Sequence, residues 1–342
     1  MDILTKKIVL LGRYGNNDGI TKLSRKLLIG DDASDVEIDL SYLRWIELGP
    51  MTYLLGTLKG WQEKGIQISF TGIKNMNGPI SYMSRMKFFS LLGCQFEDNR
   101  NCNIANSKFV DYREIENTER RDSNADALAE SIATCIAGEQ CELDIEDFTF
   151  SDYLPEDGFY DSIVYSVTEL VKNVQQHSRG TGYIGAQYYP TSDVTQIAII
   201  DTGIGIRGSF IHSDSPYAAK ITDDISALKK ALEPEVSSKF YKNSMTGDSE
   251  NAGVGLTFLK ELVSQTEGRF QAVSGGAMLY DGNSSQLTVP YQGTYICLSF
   301  KRKALNRFHF LLEDVKVKYL GELDTNSDEI EDIFGDYEHE NF

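Results

Sequence analysis

Three short groups of polar residues and glycines occur in a fixed order in the second half of the chain. The first consists of Glu169, Asn173 and His177, spaced by four residues in an otherwise apolar segment. This spacing places all three side chains on one face of a helix. Polar groups on a helix that otherwise resembles a core helix indicate a functional role. A solvent-exposed polar stripe is the alternative interpretation.

The second group places a carboxylate at the end of an apolar strand. Asp201 follows residues 196–200 directly and is followed by Gly203 and Gly205. A carboxylate in that position is costly to bury unless a hydrogen-bond donor reaches it. The two glycines allow a loop or a ligand to approach the backbone closely. An ordinary turn at a strand end is the alternative.

The third group opens a predicted helix with glycines. Gly253 and Gly255 precede an apolar helical pattern over residues 256–267. Glycines at a helix start leave backbone N–H groups free, and the helix dipole favours an anion there. A pair of glycines is a weak signal by itself, so the order of all three groups matters.

Together the three groups resemble the N box and the glycine boxes of the gyrase, heat-shock chaperone, histidine kinase and MutL (GHKL) ATPase superfamily. The matching residues are Glu169 and Asn173, then Asp201, Gly203, Gly205 and Ile206, then Gly253, Val254, Gly255 and Leu256, and finally Thr294 before the last strand. The resemblance covers residues 125–303. It implies a Bergerat-type α/β sandwich that binds ATP and Mg²⁺.

The resemblance also implies a role for each polar group. Asp201 would accept a hydrogen bond from the exocyclic amine of adenine, and Gly203 and Gly205 would give the purine room. Asn173 would offer an oxygen ligand to Mg²⁺. Glu169 would be the catalytic base that orients or deprotonates water beside the γ-phosphate.

The remaining matches complete the implied nucleotide site. The backbone of residues 253–255 would receive the phosphates at the helix N-terminus. Ile206 and Leu256 complete the two glycine motifs. Thr294 would support Asp201 from the neighbouring strand.

A polar segment between the second and third groups is the predicted lid. Residues 207–252 are rich in loop-forming residues, with a helix predicted at 223–232 that Pro234 stops. The resemblance implies that this segment closes over the nucleotide. Lys239 and Lys242 are candidates for a γ-phosphate contact, and ordinary surface exposure is the alternative for both.

The first 112 residues alternate between strand-like and helix-like segments, which favours an α/β layer domain. Strands are predicted at 7–12, 35–40 and 66–72, and helices at 20–28, 51–64 and 79–93. Residues 39–68 are similar to the STAS domain of anti-sigma-factor antagonists. Gly49 stands where that family has a phosphorylatable serine, so no phosphoserine switch is expected there. The glycine-rich residues 12–19 lack the Lys-Ser/Thr ending of a phosphate loop and predict a turn.

The fold class is therefore an α/β layer domain followed by an α+β sandwich. The predicted division is 1–112 for the STAS-like domain, 113–124 for a linker, 125–303 for the ATP-binding domain and 304–342 for a C-terminal extension. Within the second domain, helices are predicted at 125–137, 159–178 and 256–267, and strands at 182–189, 195–200, 270–274, 278–281 and 294–300.

Composition excludes several classes of function. The 33 Lys+Arg against 51 Asp+Glu give a net charge of -18, which argues against a nucleic-acid partner. Residues 321–342 hold nine of the acidic side chains and predict a solvated tail. No apolar run predicts a membrane span or a signal peptide. Five scattered cysteines fit a reducing, cytoplasmic location.

Three functions remain open. The first is an ATP-binding, slowly hydrolysing regulator whose lid closure signals through the STAS-like domain to a protein partner. The second is a serine/threonine protein kinase of the anti-sigma-factor type that acts on a separate protein. The third is a non-enzymatic, nucleotide-sensing scaffold. A homodimer is expected from the superfamily alone, and autophosphorylation is not expected because no histidine precedes Glu169.

Overall fold

The computed structural model describes most of both predicted domains. The described residues are 5–30, 32–73, 78–94, 109–115, 121–137, 157–213, 215–233, 236, 255–305, 308, 310, 311, 314 and 318. Predictions for Gly253, Val254, Lys239, Lys242 and the acidic tail lie outside these residues.

The N-terminal half contains a three-stranded parallel sheet in the order β1-β2-β3. Its elements in chain order are β1 (Thr5–Tyr14), α1 (Gly19–Lys26), β2 (Asp35–Ile46), α2 (Leu48–Glu63) and β3 (Gln67–Thr71). Parallel neighbours need crossover connections, and α1 and α2 provide them. Each predicted strand and helix of this part is present, with bounds that differ by a few residues.

The helix predicted at 79–93 is divided into α3 (Pro79–Arg85) and α4 (Phe88–Leu91). Lys87 between them has a left-handed backbone with φ 59°. The carbonyl oxygen of Met86 accepts a hydrogen bond from the Tyr112 N–H (3.2 Å), which belongs to a strand of the second sheet. The break therefore accompanies a long-range hydrogen bond that the local pattern does not contain.

The second sheet has five antiparallel strands in the order β4-β5-β6-β8-β7. The strands are β4 (Phe109–Ile115), β5 (Gly182–Tyr189), β6 (Val194–Asp201), β7 (Arg269–Tyr280) and β8 (Asn283–Lys301). The helices of this half are α5 (Arg121–Ala137), α6 (Asp157–Asn173), α7 (Gly205–His212), α8 (Asp224–Lys230) and α9 (Gly255–Gln265). A π-helical segment, Val174–Ser178, continues α6.

Three predicted strands near the C-terminal end form one long hairpin. The strands predicted at 270–274 and 278–281 are both parts of β7, which passes through Gly275 and Gly276 with a shift in register. Gly275 has φ +59°, and the Gly276 N–H donates to Asp224 Oδ2 (2.7 Å). The glycines therefore form a bulge within one strand and do not end it.

The second sheet is buried on both faces because the N-terminal half packs against it. Along β6, Ile197 and Ile199 join the core formed with the helices α5, α6 and α9. The alternating residues Ala198 and Ile200 join the core of the N-terminal half. Apolar side chains on both sides of one strand explain the continuous apolar run before Asp201.

The structure differs from the predicted division at two points. Strand β4 pairs with β5 in the second sheet and crosses the boundary predicted at residue 112. Helix α5 starts at Arg121, inside the predicted linker 113–124. Within the part of the chain that the structure describes, no helix combines the length and apolarity needed to cross a lipid bilayer.

The close packing of α2 on β6 predicts opposite effects for two glycines of that helix. A Cβ on Gly56 would lie 2.3 Å from Ile200 Cδ1 and 2.7 Å from the Tyr291 hydroxyl, whereas a Cβ on Gly60 would meet nothing within 4 Å. We expect Gly56→Ala to lower the free energy of unfolding by about 1–3 kcal/mol through overpacking. Gly60→Ala should raise it by about 0.5–1 kcal/mol because alanine favours helix. Urea denaturation measures both, and equal effects would contradict this packing.

Candidate functional site

Asp201 is a buried carboxylate at the end of β6. Its side chain is 2% exposed. Oδ1 accepts a hydrogen bond from the Gly203 N–H (2.8 Å), and Oδ2 accepts one from the Thr294 N–H on β8 (3.2 Å). A carboxylate offers about four lone-pair sites. Acceptor capacity therefore remains for a ligand that brings an N–H donor.

Burial dominates the electrostatics of this carboxylate. Desolvation raises the pKa of Asp201 from 3.8 to about 7, although the hydrogen bonds from Gly203 and Thr294 oppose the shift. No described cation forms an ion pair with this side chain, so backbone dipoles provide its stabilisation. A buried carboxylate with a shifted pKa is a typical mark of a functional site.

The glycines after Asp201 permit a backbone packing that other residues would prevent. A Cβ on Gly203 would lie 1.8 Å from the carbonyl oxygen of Ser178, at the end of the π-helical segment. Gly205 has φ +69° and begins α7, whose start the sequence predicted as loop. Ile206 follows, and its N–H donates to Ser274 Oγ (2.8 Å).

A second glycine approaches Asp201 from β8. A Cβ on Gly293 would lie 2.0 Å from the carbonyl oxygen of Asp201, and this glycine has φ +107°. Ser274 Oγ donates to the carbonyl oxygen of Gly293 (3.1 Å). The loop after Asp201 is thus fixed against both β7 and β8.

Glu169 and Asn173 lie one turn apart on α6, and both are partly buried. Asn173 Nδ2 donates to the backbone carbonyl oxygen of Glu169 (2.7 Å). This bond uses the amide nitrogen, which leaves the amide oxygen for a ligand. The side chain is thereby oriented before any ligand binds.

The Glu169 carboxylate lies at the start of α9. A Cβ on Gly255 would be 1.9 Å from Glu169 Oε2, so only glycine allows this approach. Desolvation raises the pKa of Glu169, and the charge of Lys172 partly opposes it. A raised pKa makes this carboxylate a stronger base than one in water. Leu256 follows Gly255 and packs against the core beneath.

Two contacts bring the three sequence groups together. Glu169 on α6 lies against Gly255 on α9. Ser178, at the end of the π-helical segment that continues α6, lies against Gly203 in the loop after Asp201. There the carbonyl oxygen of Ser178 accepts a hydrogen bond from the Ile204 N–H (2.8 Å). His177 lies in the π-helical segment between these contacts.

The sequence did not reveal three residues that support the site. The Tyr291 hydroxyl donates to the carbonyl oxygen of Asp201 (2.5 Å). Ser274 Oγ accepts from the Ile206 N–H and donates to the carbonyl oxygen of Gly293. Glu63, the last residue of α2, accepts a hydrogen bond from the Thr202 hydroxyl (2.7 Å). These contacts join residues far apart in sequence, so local spacing carried no signal for them.

The described residues suit a nucleotide better than a metal held by protein alone. Among them, no three histidine, cysteine or acidic side chains gather as a metal site. Magnesium bound with phosphates needs few protein ligands, and the oxygen of Asn173 is of the right chemical type. Gly203, Gly205 and Gly293 pack closely against neighbouring protein atoms and so fix the position of a carboxylate that keeps acceptor capacity.

The titration of Asp201 predicts a specific dependence of stability on pH. Its pKa is higher in the folded chain than the ordinary 3.8, so the folded state binds more protons between pH 3.8 and about 7. The free energy of unfolding should therefore fall as pH rises through this window, by at most about 1.4 kcal/mol per pH unit from this group. Urea denaturation of the wild type and of Asp201→Asn across the window measures the difference. Parallel curves would contradict the shift.

One family of known proteins matches this part of the chain. Residues 160–304 match the sequence profile of the family described as histidine kinase-, DNA gyrase B-, and HSP90-like ATPase. The matched segment starts in α6, ends after β8 and contains every site residue discussed above except Glu63. No curated protein matches the chain.

The match covers less than half of the chain and assigns a domain, while residues 1–159 lie outside it. The matched residues include Glu169 on α6, Asp201 on β6 and Gly255 on α9. Residues 160–304 are therefore a GHKL-type ATPase domain.

Proposed function

We propose that this protein is an ATP-binding regulator that hydrolyses ATP slowly and communicates its nucleotide state to the N-terminal half. The observation that carries the proposal is the Asp201 carboxylate, which is buried at the end of β6 and has only two backbone N–H donors. A buried carboxylate needs donors. The exocyclic amine of adenine supplies one, and the GHKL-type domain supports ATP as the ligand.

Recognition of adenine would depend on Asp201 in its ionised form. The carboxylate accepts a hydrogen bond from the amine, whereas guanine has a carbonyl oxygen at that position and would face it with a second acceptor. Gly203 and Gly205 allow the loop beside the carboxylate to pack closely on Ser178 and Ser274. Hydrogen bonds through Ser274 join this loop to Gly293 on β8.

The residues of α6 would provide the chemistry. Asn173 presents its amide oxygen as a ligand for Mg²⁺, whose charge would neutralise that of the phosphates. Glu169 accepts the proton of the attacking water, and its raised pKa suits that role. The start of α9 beside Glu169 offers backbone N–H groups to the phosphates.

The contact between α2 and the loop after Asp201 would link the nucleotide site to the N-terminal half. Thr202 directly follows Asp201 and is 4% exposed. Its hydroxyl donates to Glu63 at the end of α2, and α2 packs along β6. A shift of this loop on nucleotide binding would therefore move the end of α2. The STAS-like identity of this half and closure of residues 207–252 as a lid are parts of the proposal.

The packing of Gly49 bears on the kinase alternative. A Cβ there would lie 2.6 Å from both Asn16 Oδ1 and the Tyr295 hydroxyl. Glycine carries no hydroxyl and this position is closely packed, so the N-terminal half would not be a phosphoacceptor there. A kinase would need a separate protein substrate. The protein partner and the homodimer remain predictions.

A comparison of Glu169→Gln with the wild type tests the catalytic part of the proposal. We expect the variant to retain ATP affinity within about threefold while phosphate release falls by about 100-fold or more, because only the base is lost. Calorimetry with Mg²⁺ measures binding, and a coupled assay measures phosphate. Glu130→Gln, which changes an exposed carboxylate on α5, is the matched control.

The outcomes separate the three functions. Tight ATP binding without phosphate release by the wild type would favour the kinase, to be tested by phosphate transfer to candidate proteins. Absence of ATP binding would contradict both enzymatic functions. Phosphate release that survives Glu169→Gln would contradict the role of this residue.

Glu63 should affect ATP affinity although it belongs to the N-terminal half. Glu63→Ala removes the acceptor for Thr202, and we expect ATP affinity to fall about fivefold, the equivalent of one hydrogen bond of about 1 kcal/mol. Glu63→Gln keeps an acceptor oxygen and should bind ATP nearly as the wild type does. Calorimetry compares the three proteins. Unchanged affinity in Glu63→Ala would show that the contact does not couple the two halves.

A further inference from the structure

A second cleft lies between the two halves, at the opposite end of the second sheet from Asp201. Its volume is about 290 Å³, at the small end of the range for ligand pockets. Val194, at the other end of β6 from Asp201, lines the cleft. Seven residues of strand separate the two positions by about 23 Å. Nothing in the proposed ATP site uses this cleft.

Two amide side chains of the cleft have buried oxygens without partners. Gln196 on β6 is 6% exposed, and Asn16 lies in the turn after β1. Neither Gln196 Oε1 nor Asn16 Oδ1 has a hydrogen-bond partner among the described residues. An unsatisfied buried acceptor costs about 1–3 kcal/mol.

The cleft also holds one acidic and one basic side chain that do not pair. Glu47 at the end of β2 and Arg269 at the start of β7 both line it, and these two described residues form no ion pair with each other. They are near enough for the charge of Glu47 to contribute to the raised pKa of Arg269, for which the hydrogen bond to Tyr280 is the main cause. Opposite charges across a cleft suit a ligand that carries both signs.

The other contacts of these two residues hold them in position. Glu47 Oε2 accepts the Asn16 N–H (2.9 Å), and Arg269 donates to Asn17 and Tyr280. One guanidinium nitrogen makes both of those bonds, which leaves the rest of the group for a carboxylate. The second cation of the cleft, Lys301, is paired with Glu267.

An aromatic ring completes the lining. Trp45 lies in the cleft and stacks on Tyr82, with ring centroids 6.3 Å apart and planes 6° from parallel. The stacking fixes the indole, which offers a rigid apolar surface beside the polar groups. The cleft therefore combines a carboxylate, a guanidinium and an aromatic ring.

We propose that this cleft binds a small zwitterion, an α-amino acid. Its ammonium group would pair with Glu47, and its carboxylate would pair with Arg269. Its side chain would lie against Trp45. One unpaired acid and one unpaired base match a ligand without net charge better than a phosphate ester, which would need more cations.

The two tryptophans of the chain allow a site-specific test. Trp45 lies in the cleft, whereas Trp61 belongs to the core of the N-terminal half. Each of the standard L-amino acids is added at about 1 mM, a concentration that detects weak binding, while the two indole N–H resonances are followed by NMR. We expect at least one amino acid to shift the Trp45 resonance and leave that of Trp61 unchanged.

Ligand analogues and variants test the two charged contacts. The amine that lacks the carboxylate and the acid that lacks the amino group should each bind at least about tenfold more weakly, since each loses a charge-assisted bond. Arg269→Gln and Glu47→Gln should have the same effect. Arg25→Gln, an exposed position on α1, is the control.

Three results would overturn the proposal. These are no shift of Trp45 with any amino acid, binding of the analogues as tight as that of the amino acid, or unchanged affinity in Arg269→Gln. The analogues give their answer on the wild-type protein, so a variant that fails to fold does not block the test. Because the cleft is separate from Asp201, binding should also persist in Asp201→Asn.

Discussion

The rest of the candidate site depends on the burial of the Asp201 carboxylate. Burial raises the pKa of Asp201 to about 7, although the backbone N–H groups of Gly203 and Thr294 donate to its carboxylate and oppose the shift. Two donors do not satisfy a carboxylate. The arrangement is therefore costly unless a ligand completes it. Gly203 and Gly293 make it possible, since a side chain at either position would collide with backbone.

The N-terminal half determines how that carboxylate is buried. Its helix α2 covers the face of the second sheet that the helices α5, α6 and α9 do not cover. Glu63 at the end of this helix reaches the residue after Asp201, and Tyr291, beside Gly56 of α2, reaches the carbonyl oxygen of Asp201. Removal of this layer would expose one side of β6. The two halves thus share a core and form one cleft between them, at the other end of β6.

Local patterns predicted most of the helices and strands that carry the candidate residues, but not the contacts that hold these elements together. The spacing of Glu169 and Asn173 predicted that both lie on one face of a helix, and the apolar run before Asp201 predicted a strand. The division of the helix predicted at 79–93 depends on a hydrogen bond from Tyr112, which no helical pattern contains. The bond between Glu63 and Thr202 spans 139 residues. A sequence motif indicates which functional groups one segment carries. Hydrogen bonds between distant segments depend instead on how the two halves pack together.

The most direct test of the account is whether Asp201 reads the amine of adenine. Calorimetry should compare ATP with the triphosphate of purine riboside, which lacks that amine, in the wild type and in Asp201→Asn. A hydrogen bond to a charged group contributes about 1.5–3 kcal/mol, so the wild type should bind ATP at least about tenfold more tightly than the analogue. Asp201→Asn should bind the two with nearly equal affinity. Equal affinities in the wild type would contradict adenine recognition by this carboxylate.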